Sequence, residues 1–362
     1  MTPRGVAALV AVASLALVAA CSDDPAPDGE PRSEESSATS STSPDPTTPS
    51  PEPDPPPRIT LTVVGDLMLV RGVPDAGAAL APLSDRLRSA DITVGNLEST
   101  LSTNGEPTQG GDSFGGSPAL LGPLRRAGFD ALSLANNHAG DYGSTALVET
   151  LRTFDGSRIA AFGAGADLAE ASRPVVITRQ GVRFAFVGFN AIGETPRAVP
   201  GGPGALSVRM PPRTGPLVPA DLDHVASVVR RAARSADVVV VLPHWGTQYT
   251  HRPEPIQGTV ARRLVRAGAD LVVGGHPHWV QSTEEIQGVP VFHSLGNFVF
   301  DMDFMTQTME GVFLETVWRG DQLVRTRPVP YRMDPGSFAP REVRGKAADA
   351  ILREVRAPAP AP

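Results

Sequence analysis

The sequence has one cysteine, Cys21, among 362 residues. That excludes a disulfide framework and any metal site built from several thiolates. It also lacks a basic balance: 32 Lys and Arg face 39 Asp and Glu, a formal charge of −7. Such a charge argues against a nucleic-acid binder that works through a basic surface. The apolar run at the N-terminus, Val6–Ala20, is 15 residues long. A membrane-spanning helix needs roughly 20. The chain is long enough for one large domain or two ordinary ones.

What is present is unevenly spread. Arg4 precedes the apolar run and small residues end it, the pattern of a secretory signal. The run closes on Val18-Ala19-Ala20-Cys21, which looks like a bacterial lipobox. In that motif the cysteine takes the lipid and becomes the new N-terminus. Residues 1–21 are therefore expected to be a lipoprotein signal peptide, with Cys21 lipidated. The protein is then extracytoplasmic, held on the bacterial cell membrane by a lipid anchor. An ordinary signal peptide cut near Ala20 is the alternative.

Residues 22–57 are rich in Pro, Ser, Thr, Asp and Glu, with Ala26 and Ala38 their only aliphatic side chains. They have nothing to bury and read as a disordered tether. Nine acids and Arg32 give this segment a charge of −8, and Arg4 adds +1 before it, so residues 58–362 are neutral. The acidity belongs to the tether. The exclusion of nucleic acid as a partner thus rests on the signal, the tether and the site described below.

Residues 58–356 read as one folded unit, with 357–362 a Pro/Ala tail. Strand candidates are Ile59–Val64, Asp91–Val94, Ala131–Leu134, Arg183–Val187, Val238–Leu242, Leu271–Val273 and Val289–His293. Amphipathic stretches at Ala78–Ala90, Pro118–Ala127, Thr145–Phe154, Asp221–Ala236 and Pro255–Ala267 separate them. This alternation predicts an α/β domain. Gly311–Trp318 and Leu323–Val329 predict a late β-hairpin.

The strand ends carry the chemistry. They run into Gly65-Asp66, Asn96-Leu97-Glu98, Asn136-Asn137-His138, His244-Trp245, Gly274-Gly275-His276-Pro277-His278 and His293-Ser294-Leu295-Gly296-Asn297. Five of seven histidines lie there: His138, His244, His276, His278 and His293. Open α/β sheets bind ligands beyond the carboxyl ends of their strands. Asp, Glu, Asn and neutral His are oxygen and nitrogen donors suited to Mn, Zn, Fe or Mg. A divalent ion with an open position lowers the pKa of a bound water.

The segments V-V-G-D-L-M-L-V-R-G, D-I-T-V-G-N-L-E-S-T-L-S, A-L-S-L-A-N-N-H-A-G-D-Y-G, P-H-W-G-T-Q-Y, A-G-A-D-L-V-V-G-G-H-P-H-W-V-Q and F-H-S-L-G-N-F-V-F-D run from Val63 to Asp301. Together they resemble the CapA (poly-γ-glutamate capsule biosynthesis) family, related to calcineurin-like metallophosphoesterases. The resemblance implies a metallophosphoesterase-like four-layer α-β-β-α sandwich with a divalent-metal site of one or two ions. It implies Asp66, Glu98, Asn137, His244, His276 and His278 as metal ligands and His138 as the residue assisting the leaving group. Asp141 and Tyr142 extend the Asn-Asn-His motif and are expected to orient it. Two positions depart from the pattern. Met68 stands where phosphoesterases carry histidine, and Gln248 where the H-W-G segment is usually followed by glutamate. Gln248, Trp245, Asn297 and Arg71 are further residues expected to support the site or meet substrate.

Two functions follow. One is a metal-dependent hydrolase acting on an ester or amide of a cell-envelope polymer, polyglutamate or a smaller substrate. The other is a non-catalytic component of a polyglutamate or capsule synthesis and export assembly, with its subunits as partners.

Overall fold

Strand β1 (Arg58–Leu67) alternates Ile59, Leu61 and Val63 with Thr60, Thr62 and Val64. A pleated strand sends the two sets to opposite faces. Most of its length is buried, so both faces must be covered. The computed structural model describes residues 54–102 and 104–359. The expected signal peptide, Cys21 and the tether up to residue 53 lie outside the described residues, as do tail residues 360–362.

From β1 the chain runs through α1 (Ala76–Arg88), β2 (Ile92–Leu97), α2 (Leu121–Ala127), β3 (Ala131–Ser133), α3 (Gly143–Phe154) and β4 (Ala160–Phe162). Short β5 (Ala164–Gly165) and α4 (Leu168–Ala171) lead to β6 (Val175–Arg179), β7 (Val182–Asn190) and β8 (Gly204–Ala205). Next come α5 (Pro219–Ser235), β9 (Val238–His244), α6 (Pro255–Val265) and β10 (Leu271–Val273). They are followed by β11 (Thr283–Ile286), β12 (Val289–Phe292) and β13 (Asn297–Val299). The last elements are β14 (Glu310–Arg319), β15 (Gln322–Met333), β16 (Pro340–Glu342) and α7 (Gly345–Arg356).

The first sheet has the order β16-β15-β14-β1-β2-β3-β4, with β13 beside the end of β1. Strands β1 to β4 are parallel and β14 to β16 antiparallel. The second sheet has the order β11-β12-β10-β9-β7-β6, parallel at its centre and antiparallel at both edges.

Three apolar cores separate the layers. Ile59, Leu61, Val63 and Ile92 of the first sheet meet Phe184, Phe186, Val238 and Val240 of the second. Outside the first sheet, Val64, Leu67 and Leu132 pack with Leu80, Leu83, Leu124 and Leu147 of α1 to α3. Outside the second, Ala185, Val187, Val239 and Val241 pack with Val225 and Val229 of α5 and Val260 and Leu264 of α6. Burying each larger side chain contributes about 1.5–3 kcal/mol. The architecture is the expected α-β-β-α sandwich. No helix among the described residues is long and apolar enough to cross a membrane.

The expected strands and helices all form, with ends shifted by a few residues. The hairpin turns at Gly320, whose φ is +58°, between β14 and β15. Elements that the sequence pattern did not predict are mostly edges and returns: β4, β6, β11, β13, β16 and α7. Strand β6 is only half-buried along its length, so it carries no continuous apolar run. In α7, Ala348, Ile351 and Val355 are buried at helical spacing, and Ile351 and Val355 seal the core between the sheets.

Candidate metal centre at the strand ends

The two sheets bring different residues to one rim. Asp66 lies near the end of β1, Asn96 within β2 and Glu98 just after it; Asn137 and His138 follow β3. His244 ends β9, and the turn after β10 supplies His276 and His278. Asp66 and Glu98 have no exposed surface, and the others are at most 7% exposed.

Local backbone makes this convergence possible. A Cβ at Gly275 would sit 2.4 Å from Asp66 Oδ1, and one at Gly65 only 1.9 Å from the Gly296 carbonyl oxygen. Glycine at 275 lets the second sheet's rim touch the first, and glycine at 65 lets β1 lie against the approach to β13. His276 and His278 have φ of +96° and +58°, a region that non-glycine residues rarely adopt. Strain of this kind persists where the surroundings hold it, and it clusters at functional sites. Here the His276 N–H donates to Asp66 Oδ2 at 2.9 Å.

Hydrogen bonds fix the side chains. The Asn96 amide donates to Asp66 Oδ1 at 2.8 Å and lies 3.1 Å from Glu98 Oε1 and 3.2 Å from His244 Nδ1. Asn136 donates to Asn96 Oδ1 at 3.0 Å and to the Leu97 carbonyl at 2.8 Å. Asp141 accepts from the Phe114 N–H at 2.7 Å and from Gln109. It also lies 2.8 Å from His138 Nδ1. An acceptor engaged in this way assigns the proton of His138 to Nδ1. His138 Nε2 then accepts from Asn137 Nδ2 at 2.9 Å, and His244 Nε2 donates to Asn137 Oδ1 at 2.7 Å. The Phe114 ring stacks on His138 at 4.0 Å. Asn297 donates to the Thr308 carbonyl at 3.0 Å and presents Oδ1 to His278 Nδ1 at 2.8 Å. His278 Nδ1 therefore carries the proton and Nε2 keeps a lone pair.

Burial acts on both halves of the site. It pushes the Asp66 carboxyl up to about 6, against the hydrogen bonds from Asn96 and His276. It raises Glu98 well above the carboxylate range, helped by Asp66 and Asp141. It pushes His244 and His276 well below the usual imidazole value, and neighbouring histidines add to this. It lowers His278 to about 4, against the bond to Asn297. Neutral imidazoles are the form that ligates metal.

The residues fit a divalent ion. Donor atoms of Asp66, Glu98 and His278 lie within 4.8 Å of one another. Glu98 Oε2 and His276 Nδ1 are buried without a hydrogen-bond partner. Buried polar atoms are rarely left unpaired, and an ion is one way to satisfy them. Asn137, His244 and His276 border the same cluster through the contacts above.

The remaining expected residues lie around the cluster rather than in it. Trp245 is fully enclosed behind His244; its indole donates to the His293 carbonyl at 3.0 Å. It packs the outer core of the second sheet and faces no solvent. Arg71 Nε donates to Asp301 at 2.7 Å, and its guanidinium lies 4.6 Å from the Phe114 ring centre. That ion pair already occupies it. Tyr142 lays its ring against Gly115 at the start of α3. Gln248 is half-buried on the loop after His244, and Met68 lies in the outer core of the first sheet. His293 turns away, with Nε2 2.9 Å from Glu284.

Several supporting residues were not among those expected from the sequence: Asn96, Asn136, Phe114, Gln109 and Tyr249. Asn96 and Asn136 stand in the same strand-end motifs as Glu98 and Asn137, which was the available signal. Phe114 and Gln109 come from a long connection with no periodic pattern. Tyr249 stacks on His278 at 6.0 Å and is the last residue of the P-H-W-G-T-Q-Y segment.

Comparison with known proteins gives the family. The family model for the bacterial capsule synthesis protein PGA_cap matches residues 60–302. The chain is 31% identical over 294 residues to the capsule biosynthesis protein CapA of Bacillus anthracis, covering 78% of this chain and 69% of that one. It is 29% identical over 307 residues to the PGA biosynthesis protein CapA of Bacillus subtilis, covering 82% and 77%. A probable polyglutamine synthesis accessory protein of Mycobacterium tuberculosis is 30% identical over 233 residues, covering 63% and 60%. The family match begins in β1 and ends just past β13, so it contains every residue of the strand-end cluster, and the chain belongs to the bacterial capsule synthesis PGA_cap family, the CapA proteins.

Proposed function

We propose that this chain is a CapA-type component of capsule or polyglutamate synthesis at the cell envelope. Its reaction is a metal-dependent hydrolysis of an ester or amide in an envelope polymer, polyglutamate or a related small substrate. The observation that carries this reading is the buried cluster of Asp66, Glu98 and His278, with donors within 4.8 Å and two neighbouring buried atoms left unpaired.

Asp66, Glu98, Asn137, His244, His276 and His278 would hold the ion. A divalent ion there supplies Lewis acidity and lowers the pKa of bound water. His138, with its proton on Nδ1 held by Asp141, keeps Nε2 toward the site. That nitrogen can accept a proton or deliver one to a leaving group. Asn96 holds Asp66 and Glu98 in register, and Asn297 holds the His278 ring.

The test is metal content of the purified chain, with turnover of simple phosphoesters and γ-glutamyl peptides under Mn²⁺ or Zn²⁺. Metal-dependent turnover that disappears in His276→Ala is the expected result. Absence of metal-dependent turnover, or turnover unaffected in His276→Ala, overturns the hydrolase reading. A second reading has support in Met68, which fills the apolar core where phosphoesterases carry histidine. In it the ion is structural and the chain serves an assembly. Metal bound without turnover, and function retained in Asp66→Ala/His276→Ala, would favour it. The lipid anchor is tested separately: Cys21→Ser should release the protein from the membrane fraction.

A further inference from the structure

At the end of the first sheet remote from the metal centre, the outer face runs past the cover of α1. There Thr60 pairs across to Val317 and on to Arg325, and Thr62 to Glu315 and on to Arg327. With Arg58 and Arg86 these residues line a cavity of about 400 Å³. Four guanidinium groups thus meet at one groove, in a folded region whose formal charge is zero over residues 58–362. Three carboxylates answer them, one being Asp91, which accepts from the Thr60 hydroxyl at 2.7 Å. Glu315 accepts from Arg86 Nε at 2.6 Å and lies 3.4 Å from Arg327. Glu342 lies 3.5 Å from Arg86. Among the described residues Arg58 and Arg325 make no ion pair, and four guanidinium groups against three carboxylates leave the groove positive.

We propose that this groove binds an extended polycarboxylate chain, at a site separate from the metal centre. Arginine matches carboxylate with two parallel hydrogen bonds, so four arginines supply several such positions. Glu315 and Glu342 break the positive field into separate points. That pattern suits single carboxylates spaced along a chain better than contiguous phosphates. The groove is also too far away to serve a small molecule bound at the metal centre. Thr60 and Asp66 are six residues apart on one strand, about 20 Å at the usual rise. A polymer can reach both sites; a monomer cannot. The groove therefore acts as a second hold on a long chain, which raises affinity by tethering without new contacts at the centre. It does so whether or not the metal centre hydrolyses anything.

The experiment uses the full-length chain and fluorescently labelled poly-L-glutamate of about fifty residues, read by anisotropy at low salt. Poly-L-glutamate should bind, and affinity should fall with added salt because the contacts are ionic. In Arg325→Glu/Arg327→Glu, affinity should drop about tenfold or more, with metal content unchanged. Arg325→Gln/Arg327→Gln should lose affinity with an unaltered thermal melt, which separates lost binding from lost folding. Triglutamate should bind far more weakly and respond little to either variant. Equal affinity in wild type and both variants overturns the proposal. So does polyphosphate of similar length binding as tightly as poly-L-glutamate.

Discussion

The two sheets bring unlike chemistry to the rim where they meet. The first delivers carboxylates and amides, from Asp66, Asn96, Glu98 and Asn137, with His138 beside them. The second delivers imidazoles, from His244, His276 and His278. Burial shifts the two sets in opposite directions, carboxyls upward and imidazoles downward. Both shifts favour the neutral form. A divalent ion there would stabilise the ionised form of the first sheet's acids and would use the lone pairs of the second sheet's neutral imidazoles. Each half alone lacks part of the ligand set, so the centre depends on the core that joins the sheets.

Removing the first sheet's principal acid should have the largest effect. Asp66→Asn should abolish metal uptake and turnover, measured by metal content and by loss of the metal-dependent rise in melting temperature. Without metal, the same variant should gain stability on the wild type as pH rises. Burial holds the wild-type carboxyl at about 6, above its unfolded value of 3.8. Its stabilising contribution is complete below the unfolded value and is lost as pH rises through about 6. Asparagine has no proton to lose there. Between those two values the variant gains up to about 1.4 kcal/mol for each step of one in pH, measurable by denaturant titration in chelator from pH 4 to 7. A gap that does not widen with pH would contradict the assigned burial effect.

Separating the sheets should come next. Phe186→Ala empties a fully buried position between them. It should cost about 3–5 kcal/mol in urea unfolding and weaken metal binding, although Phe186 is outside the site. Gly275→Ala strikes the contact of the two rims, where the added Cβ would meet Asp66 Oδ1. The expected cost is about 1–3 kcal/mol, with a loss of metal affinity. Retained affinity would mean that the rims can part without consequence. The smallest effect is expected within the first sheet alone. Asp141→Asn removes the negative charge that faces His138 Nδ1 and sets an amide NH2 against one of the donors Asp141 now serves. It should lower turnover about 10- to 100-fold with metal content preserved, and it should shift the pH–rate profile. A structural role alone would leave that profile in place.

Much of this architecture was legible in the order of residues. Alternation in Ile59–Val64 and Val238–Leu242, and the amphipathic stretches between strands, predicted the α/β domain. The strand-end motifs placed Asp66, Glu98, Asn137, His138, His244, His276 and His278 together. Short edge elements such as β6 and β13 were less legible, because neighbours supply their pairing. The roles of residues one step from the cluster were also hidden. His293 and His276 both follow apolar strands of the same sheet. Only His276 reaches Asp66, because its left-handed backbone turns its N–H into the rim. His293 instead meets Glu284.

Which residue types stand at the ends of which strands follows from side-chain periodicity and turn chemistry, and both are local. Which of those ends face one another follows from the packed fold. Whether Asn96 becomes a hub, Trp245 a core residue or Arg58 the edge of a groove depends on how two sheets pack. Residues far apart in the chain settle that packing through a shared apolar core.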